Sequence, residues 1–516
     1  MTTRIVMPPM ENTLGQAFAE AFEKHKDNQA IVFARNGVSE TTLSGADLKK
    51  DTNQLANTFL RMGIGNCDRV ILLVEKSLFT VVVHIALQKI GAYTVPLNPD
   101  FKAAELSYLV EDADPSLIIA EPHHESLLKN LRSDTETLLI DTHKPYPEVD
   151  FFRNAADMSP QVRVDPEDGG GIIYTSGTTG KPKGVVMSQK NLLHDARTVI
   201  TAWEITPEDL LCHALPLYHT HGLSFALHTA LLAGSQIILM DRFNPPSVID
   251  ILSEKKRGKA CTLFMGVPAM YVKLMDTIGD QAIDFDHMRL WASGSAPLQP
   301  NDFWRIKKIF GKEPVEREGM TETGMNFSNP LHGKRKPGSI GLPLPGLEVL
   351  INDPSTFEPT AARQVGEIWL KGPGITLGYW KKPAATAETF QEGWFRTGDL
   401  GRVDEEGYYY LTDRIKDVII SGGENISPKE VELTLNALDD VVDSSVVGIP
   451  DEKWGEKLVA AIVTKPNAVV SPEKILAHCK TYLLNWKCPK DVIFVEALPR
   501  NAMGKVLKSK VQKLFR

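Results

Sequence analysis

Short apolar runs alternating with amphipathic segments set the strongest limit on how this chain can fold. Val70-Ile71-Leu72-Leu73-Val74 is continuously apolar and rich in β-branched residues, so it predicts a buried strand. Leu78, Val82, Ile85, Ala86 and Lys89 follow at helical spacing, and Gly91 closes that helix. Residues 94–97 predict a second strand, 103–111 a helix and 117–120 a third strand. Such an alternation needs crossover connections, so the expected class is α/β, with parallel or mixed sheets covered by helices. Upstream, residues 14–22 carry one apolar helical face, and a short strand at 30–33 runs into a turn at Asn36-Gly37. Downstream, helices are expected at 191–201 and 248–255, with strands at 236–240, 261–265 and 288–292 and a strand end at 213–216.

The texture changes near residue 340. Residues 338–346 are rich in proline and glycine, and strands at 365–372 and 407–411 suggest a β-barrel-like subdomain. Beyond the charged run Asp413-Arg414-Ile415-Lys416-Asp417, helices at 429–438 and 472–482 alternate with strands at 445–447, 458–464 and 491–495. The expected organisation is a large N-terminal domain over residues 1–413, a hinge at 414–416 and a small mobile α+β domain over 417–516.

The most distinctive loop follows the apolar run Gly171-Ile172-Ile173-Tyr174. It reads Thr175-Ser176-Gly177-Thr178-Thr179-Gly180-Lys181-Pro182-Lys183-Gly184. Glycines leave backbone N–H groups unshielded, the hydroxyls add donors, and the lysines add fixed positive charge, which together suit a polyphosphate. The loop is not a P-loop: Thr175 occupies the first glycine position and Pro182 follows the lysine. Three further strand ends lead into unusual loops, His219-Thr220-His221-Gly222, Gly266-Val267-Pro268 and Ser293-Gly294-Ser295-Ala296. Ligands of open α/β sheets bind beyond the carboxyl ends of strands, so these loops are expected to converge on one cleft.

Composition removes several classes. The chain has 516 residues, 24% charged and 42% hydrophobic, with a net charge of -8. That balance argues against non-specific nucleic-acid binding, which depends on excess Lys and Arg. The five cysteines form no C-x-x-C pair, so reduced thiols and no zinc are expected. No secretory signal is recognisable and no apolar run reaches the ~20 residues of a membrane span, so a cytoplasmic location without membrane insertion is expected. Oligomeric state is not legible.

Six separated motifs, taken in order, carry a resemblance: the loop at 174–184, Gly319-Met320-Thr321-Glu322, Thr397-Gly398-Asp399, Asp413–Asp417, Gly422-Gly423-Glu424-Asn425-Ile426, and Pro499-Arg500-Asn501-Ala502-Met503-Gly504-Lys505. With these the chain resembles, over essentially its whole length, the adenylate-forming superfamily of acyl-CoA synthetases, non-ribosomal adenylation domains and firefly luciferase. The resemblance implies activation of a carboxylate by ATP to an acyl-adenylate with release of pyrophosphate, then transfer to the thiol of coenzyme A. It implies ATP, Mg²⁺ and coenzyme A as cofactors. Thr175, Ser176, Gly177, Thr178, Thr179, Gly180 and Lys183 would grip phosphates. Glu322 would ligate Mg²⁺ with Thr321 contacting phosphate, although Thr321-Glu322-Thr323 alone reads equally as a helix N-cap. Gly294, Ser295, Ala296, Glu316, Glu318, Gly319 and Met320 would line the nucleotide, and Asp399 would hold the ribose hydroxyls with help from Arg414. Lys505 would reach the α-phosphate and substrate carboxylate, Lys416 would be the hinge, and Gly422 and Gly423 would lie along the pantetheine of coenzyme A. Relatives carry an aromatic residue where this chain has Glu318, whose carboxylate cannot stack on adenine.

Among these enzymes the chain is most similar to malonyl-CoA synthetases, through residues 213–223, 287–290, 294–298 and 320–330. A dicarboxylate brings a second charge into a closed pocket and needs a cationic partner there. Arg289 is the expected partner, with His219, Thr220 and His221 as further donors. The same arginine also reads as a structural ion pair at a strand end, and the histidines as braces of their loop. Other acids (fatty, oxalic or aromatic), loading of a carrier protein, and a nucleotide-binding relative without catalysis remain alternatives.

Overall fold

The computed structural model describes residues 12–131, 135–175, 181–254, 259–361, 363–422, 424–466, 468, 470–501 and 504–515. The chain divides into two compact units, Met1–Glu348 with Leu370–Phe395, and Val349–Trp369 with Arg396–Arg516.

Two sheets build the first unit. One runs, in spatial order, Leu342–Pro343, Gly324–Ser328, Val315–Met320, Leu290–Ser293, Leu263–Gly266, Leu210–His213, Gln236–Met240, Gln29–Arg35 and Val38–Ser44. The strands from Val315–Met320 to Gln29–Arg35 pair in parallel, and an antiparallel hairpin closes each side. The other sheet runs Gly378–Tyr379, Lys183–Ser188, Gly169–Thr175, Tyr93–Pro96, Arg69–Leu73, Leu117–Ala120 and Glu136–Leu139. The α/β class expected from the alternation is the class observed.

Local chemistry explains the element ends. Ser77 caps the helix Leu78–Ile90 through the N–H of Thr80, and Gly91 terminates it in the left-handed region. Every residue of that helix is buried, the polar Thr80, His84, Gln88 and Lys89 included. Ser188 and Asn191 form a reciprocal capping box at the start of the helix Gln189–Trp203. Beside the first sheet, Trp291, Phe264, Tyr271 and Phe310 pack as a buried aromatic group, with 4.4 Å between the ring centres of Trp291 and Phe310.

One expected loop is a helix. The segment His221–His228 is a π-helix that passes into the α-helix Thr229–Ala233. Its Leu223, Phe225, Ala226 and Leu227 are buried, so packing extends helical structure into what glycine and histidine content alone suggested was a loop. Single π turns often mark functional sites because they displace a helix from its regular spacing.

The second unit holds an antiparallel sheet in the order Glu424–Ile426, Ile419–Ser421, Gly455–Thr464 and Val441–Asp451, with Asp491–Phe494 parallel to Gly455–Thr464. The helices Pro428–Asn436 and Pro472–Tyr482 contribute Val431, Leu435, Ile475 and Cys479 to its core. The β-rich middle of the chain is a separate five-stranded sheet.

Candidate active site

In the first unit the candidate residues gather at carboxyl ends of parallel strands. Thr175 ends the strand Gly169–Thr175, and Lys183 opens the antiparallel strand opposite it. Ser176, Gly177, Thr178, Thr179 and Gly180 lie outside the described residues. Thr321 and Glu322 sit in the turn between Val315–Met320 and Gly324–Ser328, and the N–H of Thr376 binds the Glu322 carbonyl at 2.8 Å. Glu322 Oε1 accepts from the Tyr379 hydroxyl at 3.3 Å and lies 3.5 Å from the Thr175 hydroxyl. The Lys183 ammonium lies over the Tyr379 ring, 4.8 Å from its centre. A carboxylate, two hydroxyls and an ammonium therefore share one corner.

Beyond that corner lies a drier region. The Thr220 hydroxyl donates to Thr321 Oγ1 at 3.2 Å, and His221 Nδ1 is 3.1 Å from Ser295 Oγ. His219 packs on Tyr218, and burial lowers its pKa to about 4. Burial, and then the charge of Arg317, hold His221 neutral, and its Nε2 has no hydrogen-bond partner. Arg317 is the residue that sequence reasoning missed. It is 4% exposed, its guanidinium stands 5.1 Å from the centre of the Phe225 ring, and none of its three nitrogens has a hydrogen-bond partner. A Cβ on Gly294 would come within 2.4 Å of Arg317 Nε, so glycine there makes room for the guanidinium. Desolvation lowers the Arg317 pKa to about 10, which leaves it charged at neutral pH. A buried cation without hydrogen bonds is costly, which makes Arg317 a candidate to pair with an anionic ligand.

The neighbouring glutamates have protein partners. Glu316 Oε1 accepts the N–H of Gly338 at 2.9 Å, and Glu318 Oε2 accepts from Asn326 at 3.1 Å. Gly319 lies at a shift in hairpin register, Met320 and Ala296 are half-buried, and Ser295 has a positive φ of 70°.

Arg289 has a different role from the one expected. It precedes the strand Leu290–Ser293, at the end opposite the ligand loops. Its Nε and Nη2 bind Asp209 at 2.6 and 2.5 Å, and its remaining donors bind the carbonyls of Trp203 and Glu204. Asp209 also accepts from Thr262 at 2.7 Å, so one carboxylate ties together the residues ahead of three adjacent strands. Burial opposes the ionisation of Asp209, yet the hydrogen bonds from Arg289 and Thr262 outweigh it and lower its pKa. Arg289 is a structural residue because its fork is already filled.

The second unit carries the other cluster. Asp399 and Arg414 face each other across paired strands, with Arg414 Nε 2.7 Å from Asp399 Oδ1. Burial raises the Asp399 pKa against the charges of Arg414, Lys505 and Lys416. Lys505 follows a tight turn in which its N–H binds Asn501 Oδ1 at 2.9 Å. The residue as a whole is exposed, but desolvation of its ammonium, followed by the charge of Arg414, lowers its pKa to about 8. Lys416 lies in the short turn Ile415–Asp417, and burial lowers its pKa also. Gly422 has a φ of 63°, and its N–H binds the Trp454 carbonyl at 2.8 Å. A Cβ there would approach the Trp454 ring at 3.1 Å. Lys453 and Lys490 stand 4.9 and 5.6 Å from that ring's centre. Gly423 lies outside the described residues.

Comparison with known proteins fits this arrangement. The AMP-binding enzyme family matches residues 18–380, and its C-terminal domain matches 430–505. The chain belongs to the AMP-binding enzyme family. This AMP-binding enzyme is 34% identical to malonate–CoA ligase of Arabidopsis thaliana over 82% of the chain and 74% of the relative. It is 33% identical to feruloyl-CoA synthase of an Amycolatopsis species over 92% of the chain and 94% of the relative. Its fold matches the crystal structure of ATP-bound MatB from Rhodopseudomonas palustris with a TM-score of 0.91, at 34% identity, covering 98% of this chain and 99% of that one. These relatives place the enzyme among the CoA ligases that use ATP. No helix among the described residues is long and apolar enough to cross a membrane.

Proposed function

We propose that this AMP-binding enzyme joins a small dicarboxylic acid, malonate or a methylmalonate-like acid, to coenzyme A through an acyl-adenylate. The observation that carries the choice of acid is Arg317, a buried guanidinium whose nitrogens have no hydrogen-bond partner, set beside the neutral His221 and the wall made by Phe225. A second carboxylate supplies the partner such a cation requires, whereas a long alkyl chain would leave it unpaired.

In the first half-reaction a carboxylate oxygen attacks the α-phosphorus, the α–β bridging P–O bond breaks, and pyrophosphate leaves. Two anions must meet, so fixed cations and donors supply most of the help. The hydroxyl of Thr175, the rest of its loop and the ammonium of Lys183 grip the leaving pyrophosphate. The hydroxyl-bonded carboxylate of Glu322 fits a hard cation and would ligate Mg²⁺, whose charge offsets that of the phosphates. Asp399 and Arg414 hold the ribose, and Lys505 serves the α-phosphate and the reacting carboxylate. In the second half-reaction the thiolate sulfur attacks the acyl carbonyl and AMP leaves with the acyl oxygen. Gly422, lacking a side chain beside Trp454, fits the approach of the thin pantetheine arm, and movement about Lys416 exchanges the two half-reactions.

Pyrophosphate exchange tests the reading with malonate, methylmalonate, succinate, oxalate, ferulate and octanoate, followed by addition of coenzyme A. Exchange strongest with malonate or methylmalonate, with consumption of thiol, is expected. Exchange confined to ferulate or octanoate would overturn the choice of acid, and exchange without thiol consumption would point to a carrier protein.

A further inference from the structure

The corner that holds Glu322 and Lys183 contains a third side chain in contact with both. We propose that Tyr379 is a positioning residue that orients the Glu322 carboxylate through its hydroxyl and stations the Lys183 ammonium through its ring. The proposal rests on the reading of Glu322 and Lys183 given above.

The backbone around Tyr379 is fixed from several directions. Tyr379 pairs with Val185 on the strand that Lys183 opens, and the N–H of Trp380 binds the Gly184 carbonyl at 2.8 Å. Three residues earlier, the N–H of Thr376 binds the carbonyl of Glu322 itself at 2.8 Å. The N–H of Tyr379 binds Thr386 Oγ1 at 2.9 Å, and the Trp380 indole donates to the Asp112 carbonyl at 3.0 Å. This short segment is therefore stitched both to the lysine strand and to the glutamate turn. A rigid aromatic ring on it sits at a fixed place relative to both groups.

Each contact does something specific. The phenol donates to Oε1 of Glu322, which sets the orientation of the carboxylate. A lysine has a long flexible side chain, and the ring face gives its head a favoured station. Both effects place groups before a ligand arrives, so the order is not created at the ligand's expense. The two contacts use different parts of one side chain and separate cleanly by substitution. Tyr379→Phe removes only the hydroxyl, whereas Tyr379→Leu removes the ring as well.

The test uses the full chain, with Mn²⁺ as the spectroscopic stand-in for Mg²⁺. Electron paramagnetic resonance follows Mn²⁺ binding at saturating ATP, and calorimetry follows ATP binding in EDTA. Tyr379→Phe is expected to weaken Mn²⁺ binding by roughly ten- to hundredfold, as for one hydrogen bond to a charged metal ligand. It should leave ATP affinity in EDTA and the KM for the carboxylic acid unchanged. Tyr379→Leu is expected to weaken ATP in EDTA by about threefold as well, the scale of one exposed cation–π contact. A Tyr379→Phe titration that superimposes on the wild type would overturn the proposal, as would equal losses for metal, ATP and acid accompanied by a lower melting temperature. Wild-type enzyme that takes up no Mn²⁺ with ATP would overturn the reading of Glu322 and this inference with it.

Discussion

Replacing Arg317 with methionine separates binding from stability, because the structure predicts opposite signs for the two. The side chains are similar in length, and methionine fills the space against Phe225 without a charge. Arg317 is 4% exposed and none of its guanidinium nitrogens has a hydrogen-bond partner in the protein. Its folded pKa is lowered to about 10 from the arginine value of 12.5, so between those values the unfolded chain binds more protons. Stability is therefore expected to rise with pH across that window, and at neutral pH the whole penalty of the buried charge is present. Arg317→Met should raise the melting temperature of the ligand-free enzyme. Turnover should move the other way. Removing one partner of a buried carboxylate–guanidinium pair costs about 3–5 kcal/mol, or on the order of 10²–10⁴-fold in kcat/KM for malonate. A monocarboxylate such as octanoate brings no second charge and should lose far less. Differential scanning fluorimetry and pyrophosphate exchange on the same preparations check both halves. A lower melting temperature with equal losses for malonate and octanoate would show that Arg317 merely supports the pocket.

Pyrophosphate exchange should decline as pH rises through about 8, because the lowered pKa of Lys505 removes its charge there. Lys505→Ala should abolish exchange yet spare thiolysis of supplied acyl-adenylate, and loss of both half-reactions alike would refute the alternation about Lys416. Arg289→Met should cost about 3 kcal/mol in urea unfolding, the low end for a buried pair since its side chain keeps 30% exposure, with malonate kinetics unchanged in the folded fraction. Because the folded pKa of Asp209 is depressed, its contribution is present above the unfolded carboxylate value and lost as pH falls through the folded one. The gap between wild type and Arg289→Met should accordingly narrow in acid. Trp454 stands beside Gly422 with two ammonium groups over its ring, an arrangement suited to a base and its phosphates. Trp454→Ala should raise the KM for coenzyme A by about fivefold or more, the scale of one stacked base, without altering exchange.

The alternation of strands and helices was legible because continuous apolar runs and period-3.6 faces report directly on burial. Glycine punctuation placed ends such as Gly91 correctly, since a left-handed residue there is a local requirement. The site was legible only where residue type alone implies chemistry. Arg289 and Arg317 show the limit. Arg289 lies beside an apolar strand and Arg317 within a charged one, and an arginine in either place suits a carboxylate. Sequence does not say that residue 289 falls at the amino end of its strand, where Asp209 and two carbonyls fill its fork. Nor does it say that residue 317, flanked by two glutamates and so resembling a solvated charge run, points inward without them. The flanking glutamates face other partners, Gly338 for Glu316 and Asn326 for Glu318. One signal was available: side chains alternate along a strand, so in Glu316-Arg317-Glu318 the middle residue must face away from both neighbours. With the glutamates taken by their own donors, alternation sends the arginine to the opposite face, beside Phe225 and Gly294, where an anionic ligand would complement its charge.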